Sequence, residues 1–97
     1  MVDWIRAINT RHLVSFNYEG LERIVVPAAY GLNQGTGNRL VRGYQIAGQD
    51  ATRRLPAWSL FRADQVVGGA ILDDSFDALP PGYRRNDRAM DVVYAQL

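Results

Sequence analysis

His12-Leu13-Val14-Ser15-Phe16-Asn17-Tyr18-Glu19-Gly20-Leu21-Glu22-Arg23-Ile24-Val25-Val26 is the stretch that decides the fold class. Val14, Phe16 and Tyr18 alternate with Ser15 and Asn17, and a period of two is that of a strand with one buried face. Glu19-Gly20 is turn chemistry, and Leu21 to Val26 resumes as a β-branched run until Pro27 interrupts it. The stretch therefore reads as a β-hairpin. Ala28 to Leu32 continue its second strand beyond a bend, because proline has no N–H to give a central ladder.

Upstream, Val2, Ile5 and Ile8 fall on one helical stripe with Asp3 in the first turn, which predicts a short helix over residues 2–10. Downstream, Asn33 to Asn38 have the Gly and Asn density of a hairpin loop. Gly35-Thr36-Gly37 lacks the rest of a phosphate-loop fingerprint, and strand rather than helix follows it. The third strand is Arg39 to Ala47, with Leu40, Arg42, Tyr44 and Ile46 on one face and Val41, Gly43 and Gln45 on the other. A fourth runs from Arg53 to Phe61, broken at Pro56, and a fifth from Val66 to Leu72, with a bulge allowed at Gly68-Gly69. Pro80-Pro81-Gly82 is a break. From Asp87 the spacing of Met90, Val93 and Leu97 predicts a C-terminal helix. The expected fold is mainly β (α+β): a partly open five-stranded antiparallel barrel of SH3-like or Sm-like type over residues 12–72, with an N-terminal helix and a helical extension over 73–97.

The 97 residues suit one domain. An apolar fraction of 47% beside 22% charged residues is that of a globular chain. No cysteine is present, which removes disulfides, thiolate metal sites and a cysteine nucleophile. The first ten residues contain Asp3 and Arg6 and no signal-peptide core, and no run approaches the roughly 20 apolar residues of a membrane span. A cytoplasmic location is the expectation. The net charge of +1 carries no global field, so contact with an anionic partner must come from a local patch.

That patch is suggested by the basic residues themselves: all eleven are arginine. A guanidinium fork grips phosphate or carboxylate with two hydrogen bonds and stacks on flat rings, which an ammonium does not. Arg23, Arg42 with Tyr44, Arg54, Trp58 and Arg62 recur at strand spacing and form the candidate ligand-binding set. The run Arg84-Arg85 with Arg88 is offset by Asp87 and Asp91 and reads as a solvated face. Catalysis is not expected: His12 ends the first helix, no serine lies in a nucleophile elbow, and Asp73-Asp74 with Asp77 lacks calcium-loop spacing. No cofactor or metal is implied.

Ala7-Ile8 near the end of a leading helix, Val14-x-Phe16-x-Tyr18, Arg23 four residues before Pro27, and Trp58-x-x-Phe61-Arg62-x-Asp64-x-Val66 followed by Phe76 resemble the WYL domain. The resemblance covers residues 4–76 and rests on the order and spacing of short pieces. It implies an Sm-like barrel of bacterial regulators that senses a ligand or nucleic acid. Arg39-Leu40-Val41 stand where that family has Trp-Tyr-Leu, and Ser59 and Gln65 where it usually has arginines. Arg23 and Arg62 are the best-matched basic positions. The function expected is a regulatory binding domain for an anionic ligand such as single-stranded nucleic acid or a nucleotide. The alternative is a protein-interaction or homodimerisation module, an accessory subunit of a transcription or defence system whose DNA-reading partner is a separate chain.

Overall fold

A computed structural model describes residues 1–97. The helix α1 spans Trp4–Thr10 and is capped by Asp3, whose carboxylate accepts from the Arg6 amide at 3.0 Å. It ends at Arg11, which takes a left-handed conformation (φ 54°) and returns its amide to the last turn. Six strands follow: β1 His12–Tyr18, β2 Leu21–Asn33, β3 Asn38–Gly48, β4 Ala57–Arg62, β5 Val67–Ser75 and β6 Val92–Gln96. All pairings are antiparallel, in the order β4-β3-β2-β1-β5, with β6 beside β2.

The predicted hairpin is present, with Tyr18 opposite Leu21 across Glu19 and Gly20 at φ 54° and 76°. Positive φ at both turn residues matches the right-handed twist of the flanking strands. Pro27 does not end β2. The register advances from Pro27 to Ala29 while β3 moves only from Gly43 to Arg42, so Ala28 is a bulge that admits proline to a central strand. The bulge lets one long strand serve two neighbours along the same edge, β1 through Leu21–Val25 and β6 through Ala29–Leu32. Gly68 and Gly69, at φ 64° and 127°, form the expected second bulge opposite Phe16.

Two expectations are corrected. The sheet has six strands rather than five and does not close into a barrel, since no ladder joins β4 to β5, although only four residues, including a single 3-10 turn at Ala63–Gln65, carry the chain between them. The C-terminal helix is absent, and Val92–Gln96 form β6 instead. The β2 segment past the bulge has a free ladder edge there, and the β-branched pair Val92-Val93 fills it. Gly31 permits the approach, since a Cβ there would collide with the Val92 backbone and the Met90 side chain. The fourth strand starts at Ala57, after Arg53 and Arg54 have turned around Asp50, whose carboxylate accepts from the Thr52 and Arg53 amides.

The concave face of the sheet holds the main core of Val14, Phe16, Tyr18, Val25, Val41 and Phe61, closed by Trp4 and Ala7 of α1. Its aromatic rings meet edge to face, with Phe61 5.0 Å from both Phe16 and Tyr18. A smaller cluster of Ala29, Leu40 and Met90 lies apart from it, and Met90 belongs to the segment between β5 and β6.

Candidate functional site

Alternation along β3 and β4 sends Val41, Gln45, Ser59 and Phe61 inward. Arg42, Tyr44, Trp58 and Arg62 therefore share the outer face, with Tyr44 opposite Trp58 and Arg42 opposite Leu60. The Tyr44 and Trp58 rings lie 5.1 Å apart. Over this face passes the connection from Pro80 to Asp91, fixed at several points along its length. Trp58 Nε1 donates to the Pro81 carbonyl at 2.8 Å, and Tyr83 donates its hydroxyl to the Leu97 carbonyl at 2.6 Å. Asn86 donates its amide to Gln96 Oε1 at 2.9 Å, and Asp91 donates its own to the Leu32 carbonyl at 2.8 Å. Arg42 grips Asp87 with Nε and Nη2, at 2.6 Å and 3.2 Å.

Between sheet and connection lies a cleft of about 510 Å³ lined by Arg42, Trp58, Gly82, Tyr83, Arg84, Arg85, Asn86, Asp87 and Arg88. Four arginines and one carboxylate are among these residues. That carboxylate is already committed to Arg42, which holds its pKa below the usual 3.8; burial pulls the other way and the Ala89 amide adds to the lowering. Arg84, Arg85 and Arg88 make no ion pair. Burial raises the Tyr83 phenol above its usual 10.0, so it stays a hydrogen-bond donor near neutrality. The Trp58 and Tyr83 rings stand 6.4 Å apart with their planes 31° from parallel, two flat surfaces beside unpaired cations.

Of the six residues predicted from the sequence, three are brought together here: Arg42, Tyr44 and Trp58, with Tyr44 behind Trp58 rather than in the lining. Arg23 lies inside, 5% exposed, bonded to Gln45 Oε1, Asp50 Oδ2 and the Tyr18 carbonyl, with its guanidinium 5.8 Å from the Tyr18 ring and 5.9 Å from the Phe61 ring. Arg62 pairs with Asp64 at 3.1 Å outside the cleft, and Arg54 is exposed on the turn before β4 with neither ion pair nor hydrogen bond. Arg84, Arg85 and Arg88, read from the sequence as a solvated face, are exposed as expected and also border the cleft. Their offsetting acids are occupied, Asp87 by Arg42 and Asp91 by the Gln34 amide. Three arginines packed just after Pro80-Pro81-Gly82 were the available signal, but the pairing of Asp87 with a residue 45 positions earlier has no local signature.

Two other cavities exist. One of about 400 Å³ is mostly apolar, bounded by Trp4, Tyr30 and Tyr94. One of about 240 Å³ adjoins Arg23 and Ser59, whose Nε and Oγ have no partner in the chain.

The chain matches no family model, no curated protein and no solved structure.

Proposed function

We propose that this chain is a ligand-sensing regulatory binding domain whose outer cleft takes an anionic ligand carrying a flat ring, a nucleotide or a segment of single-stranded nucleic acid. The observation that carries the reading is the group of three unpaired arginines, Arg84, Arg85 and Arg88, beside Trp58 and Tyr83. The phosphate would take charge-assisted, bidentate hydrogen bonds from the guanidinium forks. The base would stack on the indole or the phenol, a contact worth about 1–3 kcal/mol. Arg42 acts one step removed, because its fork is filled by Asp87; it sets the position of the connection that carries the other three. The regulatory part of the reading leans on the WYL resemblance of residues 4–76, although the cleft itself is built largely by residues beyond that span.

The test is fluorescence anisotropy with labelled single-stranded DNA, RNA and nucleotides at low and moderate salt. Saturable binding that falls with salt, and that Arg84→Ala or Arg85→Ala weakens by about tenfold or more, is the expected outcome. Binding indifferent to salt, or no binding at micromolar protein, overturns it.

A second reading, a homodimer or protein-interaction module, has one observation in its favour. β5 is an edge strand, and Val67 to Ala70 along it are exposed. A concentration-dependent mass in light scattering that Val67→Lys abolishes would favour that reading.

A further inference from the structure

We infer that the cleft is built for a single nucleoside polyphosphate rather than for a nucleic-acid strand. This rests on the proposal that the arginine cleft is the ligand site, and it concerns how the charge and the rings are distributed. A strand-binding surface needs a basic track with stacking faces spaced along it, so that successive phosphates and bases are met in turn. Here the rings form one cluster, with Trp58 between Tyr44 and Tyr83 at 5.1 Å and 6.4 Å. The unpaired cations of the cleft are equally concentrated, three of them within Arg84 to Arg88 around one cavity of about 510 Å³. That volume lies within the roughly 300–1,000 Å³ of small-molecule sites.

The arginines on the strands beside the cleft do not extend it: Arg62 is paired with Asp64, Arg53 and Arg23 are both paired with Asp50, and Leu60 lies exposed on β4 between Trp58 and Arg62, while Arg54, exposed and unpaired on the turn before β4, is no part of the lining. Four arginines against the Asp87 carboxylate leave a local charge of +3, in a chain whose whole net charge is +1. A ligand that answers this must carry several negative charges in a small volume, which a chain of phosphates on one nucleoside does and a diester-linked strand does not. The two ring substituents able to read a base edge are already used: Trp58 Nε1 donates to Pro81 and the Tyr83 hydroxyl to Leu97. Recognition is therefore by charge and by ring, with little choice among bases.

The experiment is a titration of the full chain followed by tryptophan fluorescence, with Trp4→Phe to isolate the Trp58 signal, using adenosine and guanosine mono-, di- and triphosphates, inorganic triphosphate, and a single-stranded DNA of about twelve nucleotides without terminal phosphate. EDTA is present throughout, since guanidinium groups rather than a divalent cation are to hold the phosphates. Affinity should rise at least about tenfold from mono- to triphosphate, be similar for both bases, and exceed that for inorganic triphosphate and for the oligonucleotide. Arg85→Gln and Arg88→Gln, at exposed positions, should erase the dependence on phosphate number without altering the thermal midpoint. Equal affinity for mono- and triphosphate, or tighter binding of the oligonucleotide, overturns this inference while leaving a nucleotide-binding or strand-binding cleft in place. Equal affinity for inorganic and nucleoside triphosphate removes the role of the rings. No binding of any probe overturns the cleft as a ligand site altogether.

Discussion

At the scale of the residue, arginine serves two opposite purposes in this chain. Arg23 sits in the core with its charge answered by Asp50, and its guanidinium lies against two aromatic rings. Asp50 also accepts from the Thr52 and Arg53 amides and pairs with Arg53, so it has other partners and Arg23 has no other carboxylate. An asymmetry follows: Asp50→Ala, which strands a buried cation, should lower the urea midpoint more than Arg23→Met, which leaves Asp50 satisfied and fills the space with an apolar chain. Glu19 shows strain of another kind, holding φ 54° in a turn that favours asparagine there. Glu19→Asn should stabilise the chain by about 0.5–1 kcal/mol, read as a raised denaturation midpoint.

At the scale of the element, the least expected feature is β6. The spacing of Met90, Val93 and Leu97 fits a helix, but an isolated helix of that length is marginal, whereas the free edge of β2 offers a ladder at once. Met90 turns out to be the anchor, 6% exposed against Ala29 and Leu40, with Asp87 capping the turn before it. Met90→Ala should cost about 2–3 kcal/mol, toward the lower part of the range for buried methionine because the cluster is small. It should also loosen the cleft, visible as a shift in Trp58 emission, read in a Trp4→Phe background, before global unfolding in a urea titration. By contrast, β1 and the start of β2 were legible from the sequence because the hairpin is local: alternation and turn residues specify it without help from the rest of the chain. The bulge at Ala28 was half legible. Proline announced an interruption, but only the neighbouring strands decide whether a strand ends or bulges there.

At the scale of the whole molecule, two carboxylates tie distant segments together, Asp50 linking the turn before β4 to the core and Asp87 linking the C-terminal connection to β3. Both have folded pKa values lowered from 3.8, Asp50 first by the Thr52 and Arg53 amides and Asp87 first by Arg42. A lowered folded pKa means that the unfolded chain takes up protons more readily, so the stability these groups contribute is present in full above about pH 4 and is lost as the pH falls through the folded values. Thermal midpoints should therefore be flat from pH 5 to pH 7 with respect to these groups and fall below about pH 4, and Asp87→Asn should reduce that acid dependence. No helix in the structure is long and apolar enough to cross a membrane.

The sequence by itself determined the antiparallel β character, the N-terminal helix, the hairpin turns, the place allowed for a bulge at Gly68-Gly69 and the shared face of Arg42 and Tyr44. Each of these depends on spacing within a few residues, on side-chain period or on backbone freedom, and those are written locally. Only the tertiary structure decided that a sixth strand joins the sheet, that the C-terminal segment supplies it, that Arg23 turns inward and Arg84, Arg85 and Arg88 line a cleft. Those outcomes depend on which free edge and which opposite charge lie close in space, as when Arg42 meets Asp87 across 45 positions, and proximity of that kind is created by the folded chain as a whole.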